Sequence, residues 1–136
     1  MFNIFNFFHK NKKYELTEED LKWNKMWDLW TEDEIESPYK ELMKYQSEIY
    51  NGGHSQYFTN VENTSDIKTE MEALIQILPK KLSDNLSMAY KAYMDLELNE
   101  CDEKAESIIE DCDDLFYDSE GEITAILKEY ASRIKL

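Results

Sequence analysis

The chain has 136 residues, enough for one ordinary domain and too few for two well-packed ones. It carries 30 acidic and 15 basic residues, for a formal net charge of −15, and 42% of its residues are hydrophobic. This apolar content is sufficient for a core and excludes a disordered acidic tail. Because Lys and Arg make the contacts to phosphate groups, the charge argues against direct binding of nucleic acid or of an anionic membrane. It favours a positively charged partner.

The first 13 residues differ in charge from the rest of the chain. They contain three lysines and no acid, a charge of +3 that leaves −18 on the remaining residues. We expect residues 1–13 to form a basic and apolar arm that folds back on a single helical domain of residues 14–136. Weak contact of the arm with a membrane is the less favoured alternative.

The sequence pattern predicts neither a secretory signal nor a membrane span. In the arm the apolar residues precede the basic ones, which is the reverse of a secretory signal. No stretch approaches the roughly 20 apolar residues of a membrane span. Two cysteines form no disulfide framework of the kind that small secreted proteins use. We therefore expect a cytoplasmic protein.

Few residues in the chain break regular structure. The sequence has only 3 glycines and 2 prolines, and it shows neither an alternating strand pattern of useful length nor an internal repeat. This composition predicts an all-α fold, a single compact domain of about six helices with short connections.

Capping residues and helical periodicity locate the first two helices. We expect the first helix to begin after Thr17, with its tryptophans facing the core. We expect the second helix to have Ser37 as its N-cap and to end at Asn51-Gly52-Gly53. Residues 54–60 follow, and a polar linker from there through Ser65 leads to the third helix.

The later helix boundaries follow from the same signals. Pro79 is expected to end the third helix, and the fourth runs from about Leu82. Asn99 is the expected cap of the fifth helix. The last helix is expected to open with a capping box from Ser119 to Glu122.

The fifth helix is strongly acidic. Residues 95–122 hold 13 acids and one base, a local charge of −12. On a helical wheel of residues 98–116, the apolar residues fall on an arc of roughly 120° and the acids fill the rest. We therefore predict that Cys101 and Cys112 are buried core thiols. Because like charges three or four residues apart destabilise a helix, the acidic face is either an anionic binding surface or only a solvated one.

An anionic binding surface would place several carboxylates along one helix. Residues three or four apart lie about 5–6 Å apart at Cβ, and duplex DNA presents a phosphate about every 3.4 Å per strand. The carboxylates therefore approximate the charge density of DNA. The candidate residues are Glu100, Glu103, Glu106, Glu110, Asp113 and Asp114, with a second acidic group at Glu32, Asp33, Glu34 and Glu36.

Other kinds of site are poorly supported by the sequence. Residues 111–122 meet three positions of the calcium-loop signature, but Leu115 and Phe116 replace the fifth ligand and the required glycine. His9 and His54 are the only histidines, and they stand in no catalytic order with a nucleophile. We expect no metal, no cofactor and no enzymatic activity.

The segment YNGGHSQYFTN, residues 50–60, resembles the hallmark of a small bacterial family. In that hallmark a helix ends in Asn-Gly-Gly, followed by an aromatic, a variable residue, Gln, two aromatics and a later Asn. A second match is DDLFY, residues 113–117, near the end of the acidic helix. The chain thus resembles the family of DNA-mimic protein nineteen over about residues 35–135. The matching hallmark residues are Asn51, Gly52, Gly53, Gln56, Tyr57, Phe58 and Asn60, and His54 stands where an aromatic is usual.

The resemblance implies an α-helical monomer or weak homodimer whose acidic surface imitates DNA and occupies DNA-binding proteins, including transcription factors. We therefore expect a non-enzymatic DNA mimic whose partner is a basic DNA-binding protein. One alternative is an immunity or antitoxin-type inhibitor of a basic nuclease. Another is a module that binds a small ligand at the hallmark turn, because paired glycines permit close approach of a ligand.

The hallmark turn also has a purely structural interpretation. It assigns positive φ angles to Gly52 and Gly53 at the helix end. Gln56 and Asn60 then satisfy backbone groups of the turn, and two aromatics, Tyr57 and Phe58, enter the core.

Overall fold

A computed structural model describes residues 15–136, which form six α-helices and no strand. This confirms the predicted all-α fold with short connections. The arm predicted for residues 1–13 lies outside the described residues. The helices are α1 (Glu18–Thr31), α2 (Tyr39–Thr64), α3 (Ile67–Ile77), α4 (Lys80–Leu98), α5 (Glu103–Asp118) and α6 (Glu120–Ser132).

Helix α2 is central to the packing and contacts α3, α4, α5 and α6, while α1 packs against α6. This position follows from its apolar and aromatic side chains, of which Tyr45, Tyr57 and Phe58 are fully buried. Phe116 of α5 packs edge-on against Tyr45, with 5.3 Å between the ring centroids. Full burial of such a side chain contributes about 1.5–3 kcal/mol, so each of these aromatic residues stabilises the packing of α2 substantially.

Helix α2 has a sharp break in its middle. Gly52 and Gly53 have non-helical backbone angles, and helical geometry resumes after them up to Thr64. The predicted helix end at Asn51-Gly52-Gly53 therefore marks the break. The polar linker predicted after Asn60 through Ser65 is wrong, because the helix that follows the glycines continues to Thr64 and buries Val61. Burial of this apolar side outweighs the polar character of its other residues.

Two predicted helix starts are wrong in their capping. Ser37 does not cap α2: its hydroxyl donates to the Glu41 carboxylate at 2.8 Å, and Pro38 precedes the helix without a side-chain cap. The predicted capping box of Ser119 and Glu122 is absent from α6. Ser119 also closes α5 and has φ −110° and ψ 9°, whereas an N-cap side chain needs extended backbone to reach the first turn.

The start of α5 also differs from the prediction. Asn99 ends α4, and Asp102 caps α5 by accepting a hydrogen bond from the Ala105 N–H at 3.0 Å. The chain is therefore not one helix through residues 98–116, and the helical wheel does not apply to the first of these residues. Cys101 is exposed, contrary to the prediction, and Leu98 is 88% exposed, while Cys112 is buried as predicted.

The remaining predicted boundaries agree closely with the structure. Thr17 caps α1 in a reciprocal capping box with Asp20. Helix α3 ends just before Pro79, and α4 begins at Lys80, two residues earlier than the predicted Leu82. No helix within residues 15–136 combines the length and the apolar character that crossing a membrane requires.

We predict that Asp102→Ala lowers the free energy of unfolding by about 1 kcal/mol, because the first turn of α5 loses its side-chain cap. Asn99→Ala is the matched control at the cap position expected from sequence. It removes only an exposed hydrogen bond from the Cys101 N–H in the turn before the helix, so it should change stability by no more than about 0.5 kcal/mol. Urea denaturation of both variants measures the difference. Equal losses in the two variants would contradict the assignment of Asp102 as the cap.

Candidate interaction surface

Helix α5 presents a face of exposed carboxylates. Its opposite face, with Ala105, Ile109, Cys112 and Phe116, is buried, so the direction of the acidic face is set by packing. At about 1.5 Å per residue, the acidic face extends over roughly 22 Å. Its exposed acids are Glu103, Glu106, Glu110, Asp111, Asp114 and Asp118, and we call this set the acidic stripe.

The acidic stripe is not neutralised by the rest of the described chain. Within residues 15–136, no lysine or arginine nitrogen lies within 4.0 Å of a stripe carboxylate. Acids elsewhere do pair, as Glu122 does with Lys81 at 2.6 Å. Lys104 is the one basic residue of α5. Together with Met88 it lines a cavity on the side of α5 that faces α4. The stripe therefore keeps its negative charge available to a partner.

The other predicted surface residues lie outside this helical face. Glu100 is exposed in the turn between α4 and α5, near the N-terminal end of the acidic stripe. The second predicted acidic group, Glu32, Asp33, Glu34 and Glu36, is exposed in the connection between α1 and α2. The structure thus places the predicted acids on two separate connections and one helix.

Asp113 is the exception within α5, because its carboxylate is engaged inside the protein. Its Oδ1 accepts a hydrogen bond from the His54 backbone N–H at 2.9 Å and lies 2.6 Å from His54 Nδ1. The His54 side chain is fully buried, whereas that of Asp113 is 23% exposed. Asp113 therefore joins α5 to the second half of α2.

A buried chain of hydrogen bonds continues from Asp113 through His54 to Tyr45. The Tyr45 hydroxyl lies 2.6 Å from His54 Nε2. Burial raises the pKa of Tyr45, so its hydroxyl keeps its proton and donates to Nε2. His54 Nδ1 then donates to Asp113 Oδ1, so both ring nitrogens of His54 have a hydrogen-bond partner.

Gly53 makes this close approach possible. It has φ +77° and ψ −171°, a conformation essentially restricted to glycine, and a Cβ at this position would collide with the Asp113 carboxylate. Gly52 has φ −169°, so the predicted positive φ is correct only for Gly53. The Asp113 carboxylate fills the space that a side chain at position 53 would occupy.

The polar hallmark residues bind a side chain rather than the backbone of the turn. The side-chain amides of Gln56 and Asn60 donate to Oε1 of Glu48, at 3.1 and 2.8 Å. The prediction that they satisfy turn backbone groups is therefore wrong: they bridge the two halves of α2. Tyr57 and Phe58 are fully buried, as predicted.

Two exposed tyrosines extend the acidic stripe, and sequence reasoning missed them. Tyr117 is 41% exposed on the stripe side of α5, and Tyr50 beside it is 50% exposed. Their rings stack with 6.2 Å between centroids. The Tyr117 hydroxyl donates to the Ile49 carbonyl at 3.0 Å, and that of Tyr50 to Glu120 at 2.6 Å. Exposed tyrosines held in place are common in protein interfaces.

The described residues give little support for a catalytic thiol at Cys112 or for a metal site. Burial raises the pKa of Cys112 to about 11, so this thiol stays protonated at neutral pH. Within residues 15–136, no three His, Cys, Asp or Glu side chains converge in a way that could hold a metal ion.

Comparison with known proteins gives one family. The family model described as DMP19-like protein matches residues 39–134, which span α2 to α6. No curated protein and no solved structure gives a significant match. The matched region includes both sequence segments that carry the resemblance, and these two segments meet in the structure at the contact between His54 and Asp113.

We predict that Gly53→Ala destabilises the protein by about 1–3 kcal/mol through its backbone conformation alone, and further by displacing Asp113. Gly121→Ala is the control, since a Cβ there meets nothing within 4 Å and alanine favours the helix by up to about 1 kcal/mol. Thermal unfolding measures both. A Gly53→Ala variant as stable as Gly121→Ala would refute the role given to Gly53.

We also predict that Asp113→Ala lowers stability by about 1–3 kcal/mol, because it leaves two N–H groups of His54 buried without an acceptor. Its neighbour Asp114 is exposed and makes no such contact, so Asp114→Ala should change stability by no more than about 0.5 kcal/mol. Chemical denaturation of the two variants provides the comparison. Similar stability of both would show that the Asp113 contact is not structural.

Proposed function

Because the chain belongs to the DMP19-like protein family, we propose that it is a non-enzymatic binding protein that acts as a DNA mimic. In this proposal the acidic stripe of α5 occupies the nucleic-acid-binding surface of a basic partner, such as a transcription factor or a nuclease. The protein then acts by excluding DNA from that surface. Since such a partner works on DNA in the bacterial cytoplasm, we expect this protein there.

The spacing of charge along α5 is the observation that carries the proposal. The six carboxylates of the acidic stripe cover residues 103–118, a length of roughly 22 Å. One strand of duplex DNA has about six phosphates over the same distance, at about 3.4 Å each. A row of lysines and arginines that contacts one DNA strand can therefore meet a similar number of negative charges on α5.

The state of the stripe before binding also supports the proposal. Its carboxylates have no basic neighbour within 4.0 Å in residues 15–136, so no internal ion pair has to break before a partner binds. The buried face of α5 holds the helix in place, which lowers the ordering entropy lost on association. The exposed charges also attract a basic partner over a distance and increase its association rate.

The tyrosine pair adds an aromatic contact area beside the charges of the acidic stripe. Tyr50 and Tyr117 offer stacked rings at the C-terminal end of the stripe, next to Asp114 and Asp118. Aromatic side chains at the centre of an interface contribute much of its affinity, whereas exposed ion pairs contribute little. We assign these two tyrosines to the partner surface together with the acidic stripe.

Of the two alternative functions, one uses the acidic stripe and the other uses the hallmark turn. A nuclease inhibitor would use the same acidic stripe, so the identity of the partner separates it from a regulator of transcription. A small-ligand module at the hallmark turn is not favoured, because the Asp113 carboxylate lies where a ligand would approach Gly53. The close approach that the glycine permits is used inside the protein.

The partner can be identified by capture from a native lysate of the source organism at low salt, with the full chain as bait, followed by mass spectrometry. The captured protein should bind duplex DNA on its own, and DNA and the bait should exclude each other in a competition assay. A captured nuclease whose cleavage stops on binding would identify an immunity-type role. A partner that binds bait and DNA simultaneously would contradict mimicry.

We predict that the triple change Glu103→Lys, Glu106→Lys and Glu110→Lys weakens binding of this partner by at least about tenfold, because it reverses the centre of the stripe. The control is Glu19→Lys, Asp28→Lys and Glu72→Lys, which makes the same change in net charge at exposed sites on α1 and α3. Calorimetry measures the affinities. Equal losses from both sets would show that net charge, and not the stripe, determines binding.

We predict that binding weakens as salt concentration rises, with a shallower dependence than the partner shows toward duplex DNA. DNA releases a condensed layer of counterions when its phosphates are neutralised, whereas carboxylates on one face of a helix hold fewer. Titration of both complexes between low and physiological salt gives the two slopes. A binding constant that does not change with salt would contradict an electrostatic interface.

A further inference from the structure

Helix α4 has an outer face with exposed hydrophobic side chains. Met88 is 56% exposed, Met94 is also exposed, and Leu98 is 88% exposed, the highest value for a large hydrophobic residue within residues 15–136. Single exposed hydrophobic residues are common on protein surfaces. Three of them within about three turns of one helix form a patch that a partner can cover.

Helix α4 is also the one helix of the six described that has no net charge. Between Lys80 and Leu98 it has three basic and three acidic residues, whereas α5 has one basic and seven acidic residues. On its surface Lys80 pairs with Asp84 at 2.8 Å, and Lys91 pairs with Asp95 at 3.5 Å. Two copies of a chain with a net charge of −15 repel each other. The outer face of α4 is therefore where a second copy can approach with the least repulsion.

The order of residues on this face is complementary to itself. Residues at successive spacings of 3, 4 and 3 positions are Met88, Lys91, Asp95 and Leu98. This spacing places side chains along one side of a helix, as in the seam of a coiled coil. In an antiparallel pair of α4 helices, Met88 of each copy lies opposite Leu98 of the other. Lys91 of each copy then lies opposite Asp95. Such reciprocal contacts are what a two-fold symmetric interface requires.

A cavity of about 250 Å³ lies beside this face, between α4 and α5. Its apolar lining consists of Met88 and Ala92 from α4 and Ala105 and Ile108 from α5, between charged residues of both helices. Because Leu98 of a second copy lies opposite Met88 in the antiparallel pair, its side chain reaches this cavity. The most exposed large hydrophobic side chain of one copy is thereby buried against the other, which is favourable.

We propose that the outer face of α4 binds a second copy of this chain, as an antiparallel helix pair about a two-fold axis midway between Lys91 and Asp95. Apolar contacts lie at both ends of the pair and ion pairs at its centre. The contact is roughly 28 Å long, which places it among the smaller specific interfaces. Each central ion pair also replaces one that the separate chain already has. The dimer is therefore weak, with a dissociation constant of about 10–100 µM.

The dimer does not depend on the proposed function, because no residue of the acidic stripe lines the cavity or lies on α4. If both proposals hold, the dimer offers two acidic stripes to the two halves of a two-fold symmetric DNA-binding partner. Salt separates the two interactions. Binding of a basic partner weakens as salt rises, whereas the dimer becomes tighter, because salt screens the repulsion between two acidic chains.

Sedimentation equilibrium of the full chain tests the dimer at low and at physiological salt. We expect a reversible monomer–dimer equilibrium that Met88→Gln together with Leu98→Gln weakens by about tenfold or more. The matched control is Leu21→Gln with Ile75→Gln, which changes exposed hydrophobic residues of α1 and α3 and should alter the constant by no more than about twofold. Equal losses from the two pairs would overturn the proposal. So would a chain that stays monomeric up to about 1 mM, which would leave the face to residues 1–13 or to a different protein.

Charge reversal on α4 tests the antiparallel pairing. Lys91→Glu places like charges opposite each other at both Asp95 positions, and Asp95→Lys does the same at both Lys91 positions. Each variant should weaken the dimer by about tenfold or more, although the two change the net charge in opposite directions. The double variant restores opposite charges and should recover the original constant to within about threefold. Loss in both single variants without recovery in the double variant would refute the antiparallel pairing.

Disulfide formation between copies tests the same arrangement directly. Met88→Cys and Leu98→Cys are made in separate chains, each with Cys101→Ser because Cys101 is exposed. A disulfide needs Cα atoms within about 7 Å, and the two-fold axis separates identical positions by about 15 Å. Oxidation of the mixture should therefore give a covalent dimer with one chain of each kind, and either chain alone should give none. Covalent dimers of Leu98→Cys alone, or none in the mixture, would overturn the proposed interface.

Discussion

The contact between Gly53 and Asp113 is the constraint on which the arrangement of α2 and α5 depends. At this point the two helices approach so closely that only a glycine fits, and the Asp113 carboxylate holds both the backbone and the ring of His54. Because Asp113 belongs to α5, this contact acts together with the buried face of that helix to hold its rotation about its axis. The carboxylates of the acidic stripe therefore face outward as a result of an interaction at the core.

The packing of the buried face of α5 explains how one helix can satisfy two opposing requirements. A row of like charges destabilises a helix, because neighbours three and four residues apart repel one another. The buried face of α5 compensates, with Phe116 inside a cluster of aromatic rings that includes Tyr45. The acidic stripe can remain free of internal ion pairs because packing, and not salt bridges, stabilises the helix.

Sequence reasoning predicted the elements well and the contacts between them poorly. Helical periodicity and prolines located all six helices, since these signals are local. The polar segment after Gly53 was not predicted to be helical, because its buried side chains gain their stability from distant partners. Four residues of the acidic stripe were among the predicted acids, whereas Asp111 and Asp118 were not, and Asp113 was counted with its exposed neighbours. His54 and Asp113 are 59 positions apart, and no pattern in the sequence predicts a hydrogen bond between them. Their presence in the two segments that carry the family resemblance was the available signal.

The two cysteines differ in a way that has a practical use. Cys101 is exposed in the turn just before α5, while Cys112 is buried and its pKa is raised to about 11. A thiol-reactive dye will therefore couple to one position, at the N-terminal end of the acidic stripe, without any engineering of the chain. Fluorescence from that position can report the arrival of a partner on the stripe in a crude extract, before the partner has been identified.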